Sequence, residues 1–291
     1  MNIFHDANRK QIANRRVKDK SLHMIFLLAT SVGIIALTVL LVDIIIDGWS
    51  NLSPDLFTNF PSRKAEDAGM KSGLVGSMYI MLILVPLSFI LGVGAAIYLE
   101  EYAPKNKLTR LIQLNISTLA GVPSIVYGIL GLALFVRMLS LQKSLISGAL
   151  TMTLLVLPII IVAAQEAIRA VPRSRRDASF ALGATKWQTV SRSVLPSSLP
   201  GILTGVILAA SRAIGETAPL IIVGASTYVA FLPKSLTDAF TAMPIQIYNW
   251  ISRPQVAFKD LGASAIIILL AILILLNITA VIIRNKYQKN I

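Results

Sequence analysis

An all-α membrane protein of six transmembrane helices, with both termini on the cytoplasmic side, is the fold class this sequence predicts, and three observations predict it. Hydrophobic residues make up 55% of the 291 and charged residues only 14%, a balance outside that of a soluble globular chain. Charge-free apolar runs recur at a length that crosses roughly 30 Å of hydrocarbon, about 20 residues as helix. Lysine and arginine are spread unevenly over the intervening loops, as the positive-inside rule requires.

Five runs are uninterrupted: Met24 to Val42, Ser72 to Leu99, Leu111 to Val136, Ser144 to Gln165 and Leu261 to Ile283. A sixth, Pro200 to Ala230, carries Arg212 and Glu216 near its middle and is counted as a span too. The expected spans are then 23–47, 72–99, 111–136, 144–168, 200–230 and 261–283, after a basic cytoplasmic lead-in at 1–22, so that 23–291 is the membrane domain. The first run is longer than a signal-peptide core and is followed by Asp43 and Asp47 instead of small residues, so it is expected to stay attached.

With the N-terminus inside, 18 of the 27 lysines and arginines fall on the cytoplasmic side, Lys289 among them; eight fall outside and Arg212 lies in the membrane. The net charge of +13 is therefore read as orientation in a lipid bilayer, not as nucleic-acid binding. No cysteine is present, which excludes disulfide and thiolate chemistry, and His5 and His23 have no neighbours with which to build a metal site. There is no Gly-x-x-x-x-Gly-Lys-Ser/Thr loop to cradle ATP and no Ser/His/Asp set, so no catalytic residue, metal or cofactor is expected.

Two segments depart from plain spans and short loops. The external stretch Phe231 to Asp260 mixes Phe, Trp, Tyr and Pro with few charges, as in a re-entrant or interfacial excursion or a docking surface. The internal stretch 172–199 is too polar to span and too regular for a linker. Ser174-Arg-Arg-Asp177 fits a helix start, Gly183 a left-handed stop, and Thr185-Lys-Trp-Gln188 a second start of capping-box type. That second helix is expected to end before Leu195-Pro196, with Trp187, Val190 and Val194 holding the two helices together at a glycine elbow. Read from the residues alone, this is either a docking knob or an amphipathic surface hairpin.

Arg212 and Glu216 are four residues apart and would share one helical face. Arg212 lies roughly 18 Å beyond Pro200 at about 1.5 Å per residue, near mid-membrane. A charge there costs about 2.5–3.5 kcal/mol on insertion scales and needs a partner or a wet cavity. The pair reads either as a self-neutralising lock on helix packing or as an anion contact, since a guanidinium offers paired N–H donors and stays charged in a dry site. Thr217, Ser124 and Tyr127 supply hydroxyls that could hand an anion along or bond back to helix carbonyls. Several spans carry Pro or Gly, which reads as hinge or as ordinary membrane composition.

Asp177-Ala178-Ser179, Gly183-Ala184 and Leu195-Pro196 resemble the EAA loop of binding-protein-dependent ABC importer permeases. The family usually has Glu first; Asp177 keeps the charge on a shorter arm. Ala95 to Tyr102, Gly121 to Gly128, Ala181 to Trp187 and Arg212 to Leu220 are similar to the permease subunits of phosphate importers, so the resemblance runs from the second span into the fifth. It implies a type I importer permease fold in a bacterial plasma (inner) membrane, a second permease subunit, an ATP-binding subunit dimer on the cytoplasmic face, an external phosphate-binding protein, and phosphate as solute. Under it, Asp177, Ala178, Gly183, Ala184, Trp187, Leu195 and Pro196 become the ATPase-coupling residues, and Arg212, Glu216, Thr217, Ser124 and Tyr127 the solute path. A permease for another oxyanion such as molybdate or sulfate is the alternative; a stand-alone channel, secondary transporter or membrane enzyme leaves the cytoplasmic knob without a use.

Overall fold

A computed structural model describes residues 3–288 apart from Thr227, so Lys289, counted above on the inner side, lies outside the described residues. Among the described residues every regular element is helical: α1 Ile3–Trp49, α2 Asp55–Thr58, α3 Lys71–Ile97, α4 Lys107–Leu119, α5 Ser124–Gly131, α6 Leu145–Arg169, α7 Arg173–Ala181, α8 Lys186–Thr189, α9 Leu195–Ile214, α10 Ala218–Val223, α11 Met243–Ile251 and α12 Val256–Gln288. Wide turns with i→i+5 bonding, Tyr98–Tyr102, Leu132–Met138 and Val190–Val194, extend α3 and α5 and join α8 to α9. Five helices are long and apolar enough to cross a membrane, and six when the bent pair α4–α5 counts as one.

The centre of the bundle is α6, packed against α3, α9 and α5, while α12 lies on α9 and α1 touches the rest through α12. Small residues make that central position possible: Gly148, Ala149, Thr151 and Ala164 are buried, and the hydroxyls of Thr151 and Thr153 bond back to the carbonyls of Ser147 and Ala149 at 2.7 and 2.8 Å. Lipid offers helices no hydrophobic gain on association, so close packing and polar links between helices carry the assembly. Ser211 reaches Asn277 at 3.2 Å between α9 and α12, the Met243 N–H donates to Ser77 Oγ at 2.9 Å, and Ser264 Oγ donates to the Gly48 carbonyl at 2.7 Å.

The stretch 231–260, expected outside, packs back onto the helices. Phe240, Met243, Ile245, Gln246 and Trp250 are buried, and α11 packs on α12 and α3 with Leu56 and Met70 of the segment between α1 and α3. The same stretch caps α6: the N–H groups of Leu145 and Ile146 donate to the carbonyls of Asp238 and Leu236 at 3.0 and 2.9 Å, which satisfies donors that a helix start leaves free. The Asp238 carboxylate accepts from the N–H groups of Lys234 and Ser235 at 2.7 and 3.0 Å, and these bonds hold it below the ordinary carboxylate range. A depressed carboxyl contributes order that is present above its unfolded pKa and lost as pH falls through the folded one. Limited proteolysis of the 233–238 loop should therefore accelerate on acidification through that lowered value, and Asp238→Asn should make the rate at neutral pH match the acid rate of the unaltered chain.

Four sequence expectations are corrected. The third span is not one helix: α4 stops at Leu119 and α5 starts at Ser124, bent by 106° to it. Pro123 lacks an N–H and disfavours helix at Val122, and the Leu119 carbonyl accepts instead from the Val122 N–H at 3.0 Å and the Tyr127 hydroxyl at 2.8 Å. The fifth span is likewise broken, at Gly215–Thr217, because Pro219 cannot donate to the Gly215 carbonyl. Leu195-Pro196 does not end α8; Lys186 to Ile214 is one run of 29 residues, the wide turn at Val190–Val194 absorbing the proline. Ser174 is not the cap of α7, which begins at Arg173 after Pro172 with no side-chain cap bond.

Candidate functional site

The hairpin α7–α8 is built by local chemistry. Gly183 has φ +81°, a conformation that costs an L residue about 1–2 kcal/mol. Around it the Gly183 N–H bonds to the Phe180 carbonyl at 2.9 Å and the Ala184 N–H to the Ser179 carbonyl at 3.2 Å, the paired pattern of a glycine helix stop. The expected capping box at Thr185 is present, with Gln188 N–H to Thr185 Oγ1 at 3.3 Å and Thr185 N–H to Gln188 Oε1 at 2.8 Å. Ser179 Oγ and Thr189 Oγ1, 2.9 Å apart, tie the two helices across the elbow.

Val190 and Val194 are buried as expected, but Trp187 is not: it is 66% exposed, beside Leu182 at 90% and Phe180 at 47%. Trp187 therefore belongs to an outward apolar tip and not to the hairpin's packing. Asp177, Ala178 and Gly183 are exposed as well, Ala184 and Leu195 are half-buried, and Pro196 is exposed on the way into α9. Asp177 makes no ion pair among the described residues.

Sequence reasoning missed the residues that fix this hairpin to the bundle. Glu100 and Glu101 stand in the wide turn at the end of α3. Glu100 pairs with Arg169 at 2.6 Å and accepts from Gln165 at 2.8 Å, both on α6; Glu101 pairs with Arg176 of α7 at 2.7 Å. Arg175 donates to Ser197 of α9 at 2.6 Å. The available signal was two adjacent acids ending an apolar span in a chain whose segment 169–176 is rich in arginine.

At the far end of the Lys186–Ile214 run stands Arg212, in the last turn of α9, where the partial negative charge of a helix C-terminus favours a cation. Glu216 lies beyond the helix end, not on its face as the spacing suggested. The two still meet, Arg212 Nε to Glu216 Oε1 at 3.5 Å, with side chains 59% and 18% exposed. That contact is long and uses only Nε, and the Nη groups of Arg212 make no hydrogen bond among the described residues. Half-buried Thr217 occupies the break beside Glu216.

The break adjoins α5. Helix α10 packs on α5 where Gly128 faces Pro219, and a Cβ at Gly128 would sit 2.8 Å from the Pro219 Cα, so only glycine admits this approach. Half-buried Ser124 opens α5 one turn before Gly128. Tyr127 differs from the other four path candidates in being buried, with its hydroxyl already bonded across the α4–α5 bend. The structure thus brings Arg212, Glu216 and Thr217 together at a helix break packed on the helix of Ser124, and gives Tyr127 a holding position.

Residues 88–290 match the family described as binding-protein-dependent transport system inner membrane component. The chain is 35% identical over 261 residues to the probable ABC transporter permease protein YqgI of Bacillus subtilis (strain 168), which covers 87% of this chain and 89% of that protein. It is 31% identical over 278 residues to the phosphate transport system permease protein PstA 1 of Mycobacterium tuberculosis (strain CDC 1551 / Oshkosh), covering 93% and 90%. Against PstA of Yersinia pestis the identity is 30% over 282 residues, covering 97% and 95%. An inward-facing structure of the MetNI methionine ABC transporter superposes with a TM-score of 0.58 at 17% identity, over 74% of this chain and 94% of that one, a likeness of fold alone.

Proposed function

The chain belongs to the family of binding-protein-dependent transport system inner membrane components, the permeases of ABC importers, and we propose that it is a permease subunit of an ATP-driven phosphate importer. It is a multi-pass membrane transport component and not an enzyme. The observation that carries the proposal is one helix with a function-bearing group at each end. The exposed hairpin tip stands at the cytoplasmic end of the Lys186–Ile214 run, and the loosely held guanidinium of Arg212 stands about 39 Å away along the axis at about 1.5 Å per residue. Displacement of the tip by an ATPase is then displacement of the anion-binding group.

In this reading an external binding protein delivers phosphate, and a second permease subunit supplies the other half of the path. Arg212 takes the anion through paired N–H donors. Glu216 trims the positive charge so that the anion leaves, since conduction requires a site that releases what it binds. Ser124 and Thr217 offer hydroxyls beside it, and Tyr127 holds the bend of α4 on α5. An ATP-binding subunit dimer receives Phe180, Leu182 and Trp187 of the hairpin, with Asp177 at its edge. Six crossings, the bent pair counted as one, leave both termini in the cytoplasm, in keeping with the lysine and arginine bias. The PstA relatives support phosphate as the solute.

The test is uptake into proteoliposomes by the chain assembled with its second permease, ATPase and binding protein. Labelled phosphate should accumulate only with ATP inside the ATPase compartment, and a hundredfold excess of sulfate or molybdate should leave it unchanged. Accumulation of either of those oxyanions in place of phosphate would overturn the assignment of solute.

A further inference from the structure

The hairpin is covalently continuous with α6 and α9, yet its ion pair is with a third helix, at the end of α3. Arg176 of α7 donates from Nη2 at 2.7 Å and from Nε at 3.2 Å to Glu101 Oε1, from Nη1 to the Val171 carbonyl at 2.8 Å and from Nη2 to the Ile168 carbonyl at 3.0 Å. Side-chain exposure is 19% for Arg176 and 11% for Glu101, so this is a largely enclosed ion pair in which the guanidinium makes four acceptor contacts. Charge-assisted bonds of this kind are the stronger ones and fix direction as well as distance. By contrast the only other described ion pair that joins α3 to a neighbouring helix, Glu100 with Arg169, ties α3 to the core helix α6 and not to the hairpin.

Two of the three helices that meet the hairpin carry a wide turn at that level, Tyr98–Tyr102 after α3 and Val190–Val194 before α9. Such turns mark places where a helix tolerates a change of register and recur at functional positions. Glu101 sits inside the first of them, and Ser179 bonds Thr189 next to the second. The hairpin therefore joins the core helix α6 directly through residues 170–172, holds α9 through a covalent path and holds the end of α3 through a salt bridge, the last two each at a deformable turn.

We infer that Glu101 and Arg176 form a coupling strut: α3 is moved with the hairpin as one body, so that an ATPase acting on α7–α8 drives α3 and α9 together. Glu101 and Arg176 are positioning residues that touch neither solute nor nucleotide. The inference rests on the importer reading given above and adds a second transmission route to it.

The chain has no cysteine, so Tyr98→Cys and Ser174→Cys, both at exposed positions, can be spin-labelled alone in the purified chain before the importer is assembled. The 98–174 distance should stay constant between the nucleotide-free and ATP-bound states in the otherwise unaltered chain, and should vary with nucleotide in Glu101→Gln. Phosphate moved per ATP hydrolysed should fall roughly tenfold in Glu101→Gln and in Arg176→Gln, within the usual range of coupling free energies, with co-purification of the ATPase unchanged. Glu101→Asp, which keeps the carboxylate on a shorter arm, should retain more of that ratio than Glu101→Gln. A 98–174 distance that already changes with nucleotide before Glu101 is altered overturns the strut, as does an unchanged phosphate-to-ATP ratio in Glu101→Gln. Loss of ATPase co-purification in both single variants also overturns it, reducing the pair to scaffolding of the docking surface. If the unaltered complex hydrolyses ATP without moving phosphate, the solute reading fails, whereas the distance measurement still decides the strut.

Discussion

Arg212→Gln is expected to lower ATP-driven phosphate uptake about 100-fold while the complex assembles normally. The magnitude follows from what the substitution removes. A hydrogen bond to a charged partner contributes about 1.5–3 kcal/mol, and losing a paired set costs about 3 kcal/mol, at about 1.4 kcal/mol per tenfold. The geometry leaves that pair of bonds free for a solute: Glu216 engages only Nε, at 3.5 Å, and more than half of the Arg212 side chain is uncovered. Were the pair merely a lock between helices, its contacts would be short and enclosed, as those of Arg176 and Glu101 are. Arg212→Lys keeps the charge without the planar fork and should also lose most uptake. ATPase co-purification serves as the control for assembly, because Arg212 lies at the end of α9 remote from the hairpin. Uptake by Arg212→Gln within twofold of the unaltered complex would refute the role.

Why some of this was readable in the sequence and some was not follows from the range of the forces involved. Spans are set by hydropathy summed over about 20 residues, so α1, α3, α6 and α12 fell where the apolar runs put them. The Thr185 box and the Gly183 stop are closed by bonds within a few residues, and both appear in the structure as the residues imply. Hydropathy is blind to direction, however, and the 106° turn between α4 and α5 lies inside an uninterrupted apolar run. Its local sign was Gly121-Val122-Pro123, which the same composition in an ordinary membrane helix would also contain. Glu216 was assigned to the face of Arg212 because spacing of four presumes an unbroken helix; Pro219 was the residue that denied it. Trp187 was expected inside because large apolar residues usually go inside, but a tip that meets a partner inverts that preference. The Glu101–Arg176 pair joins positions 75 residues apart, and nothing local encodes such a partnership.

The other large effect is expected at that tip. Leu182→Ala combined with Trp187→Ala should weaken association of the ATPase roughly 100-fold, from about 2 kcal/mol for an interface anchor truncated to alanine, taken with a smaller loss at its neighbour. Leu182 and Trp187 are 90% and 66% exposed, so neither supports the bundle, and thermal unfolding of the permease should not shift with their removal. Rigidity of the elbow is what lets two side chains carry so much. Gly183, the Thr185 box and the Ser179–Thr189 bond hold the tip before any partner arrives, which spares the complex the entropy of ordering a loop. Thr185→Ala separates that contribution from direct contact, since it leaves Leu182 and Trp187 in place and removes a cap of about 1 kcal/mol. Its effect on ATPase affinity, measured with the purified subunits, should be about fivefold, smaller than that of the double substitution and in the same direction. An unaltered affinity in the double variant would mean that the ATPase grips another surface, and the force path would then have to begin somewhere other than the α7–α8 tip.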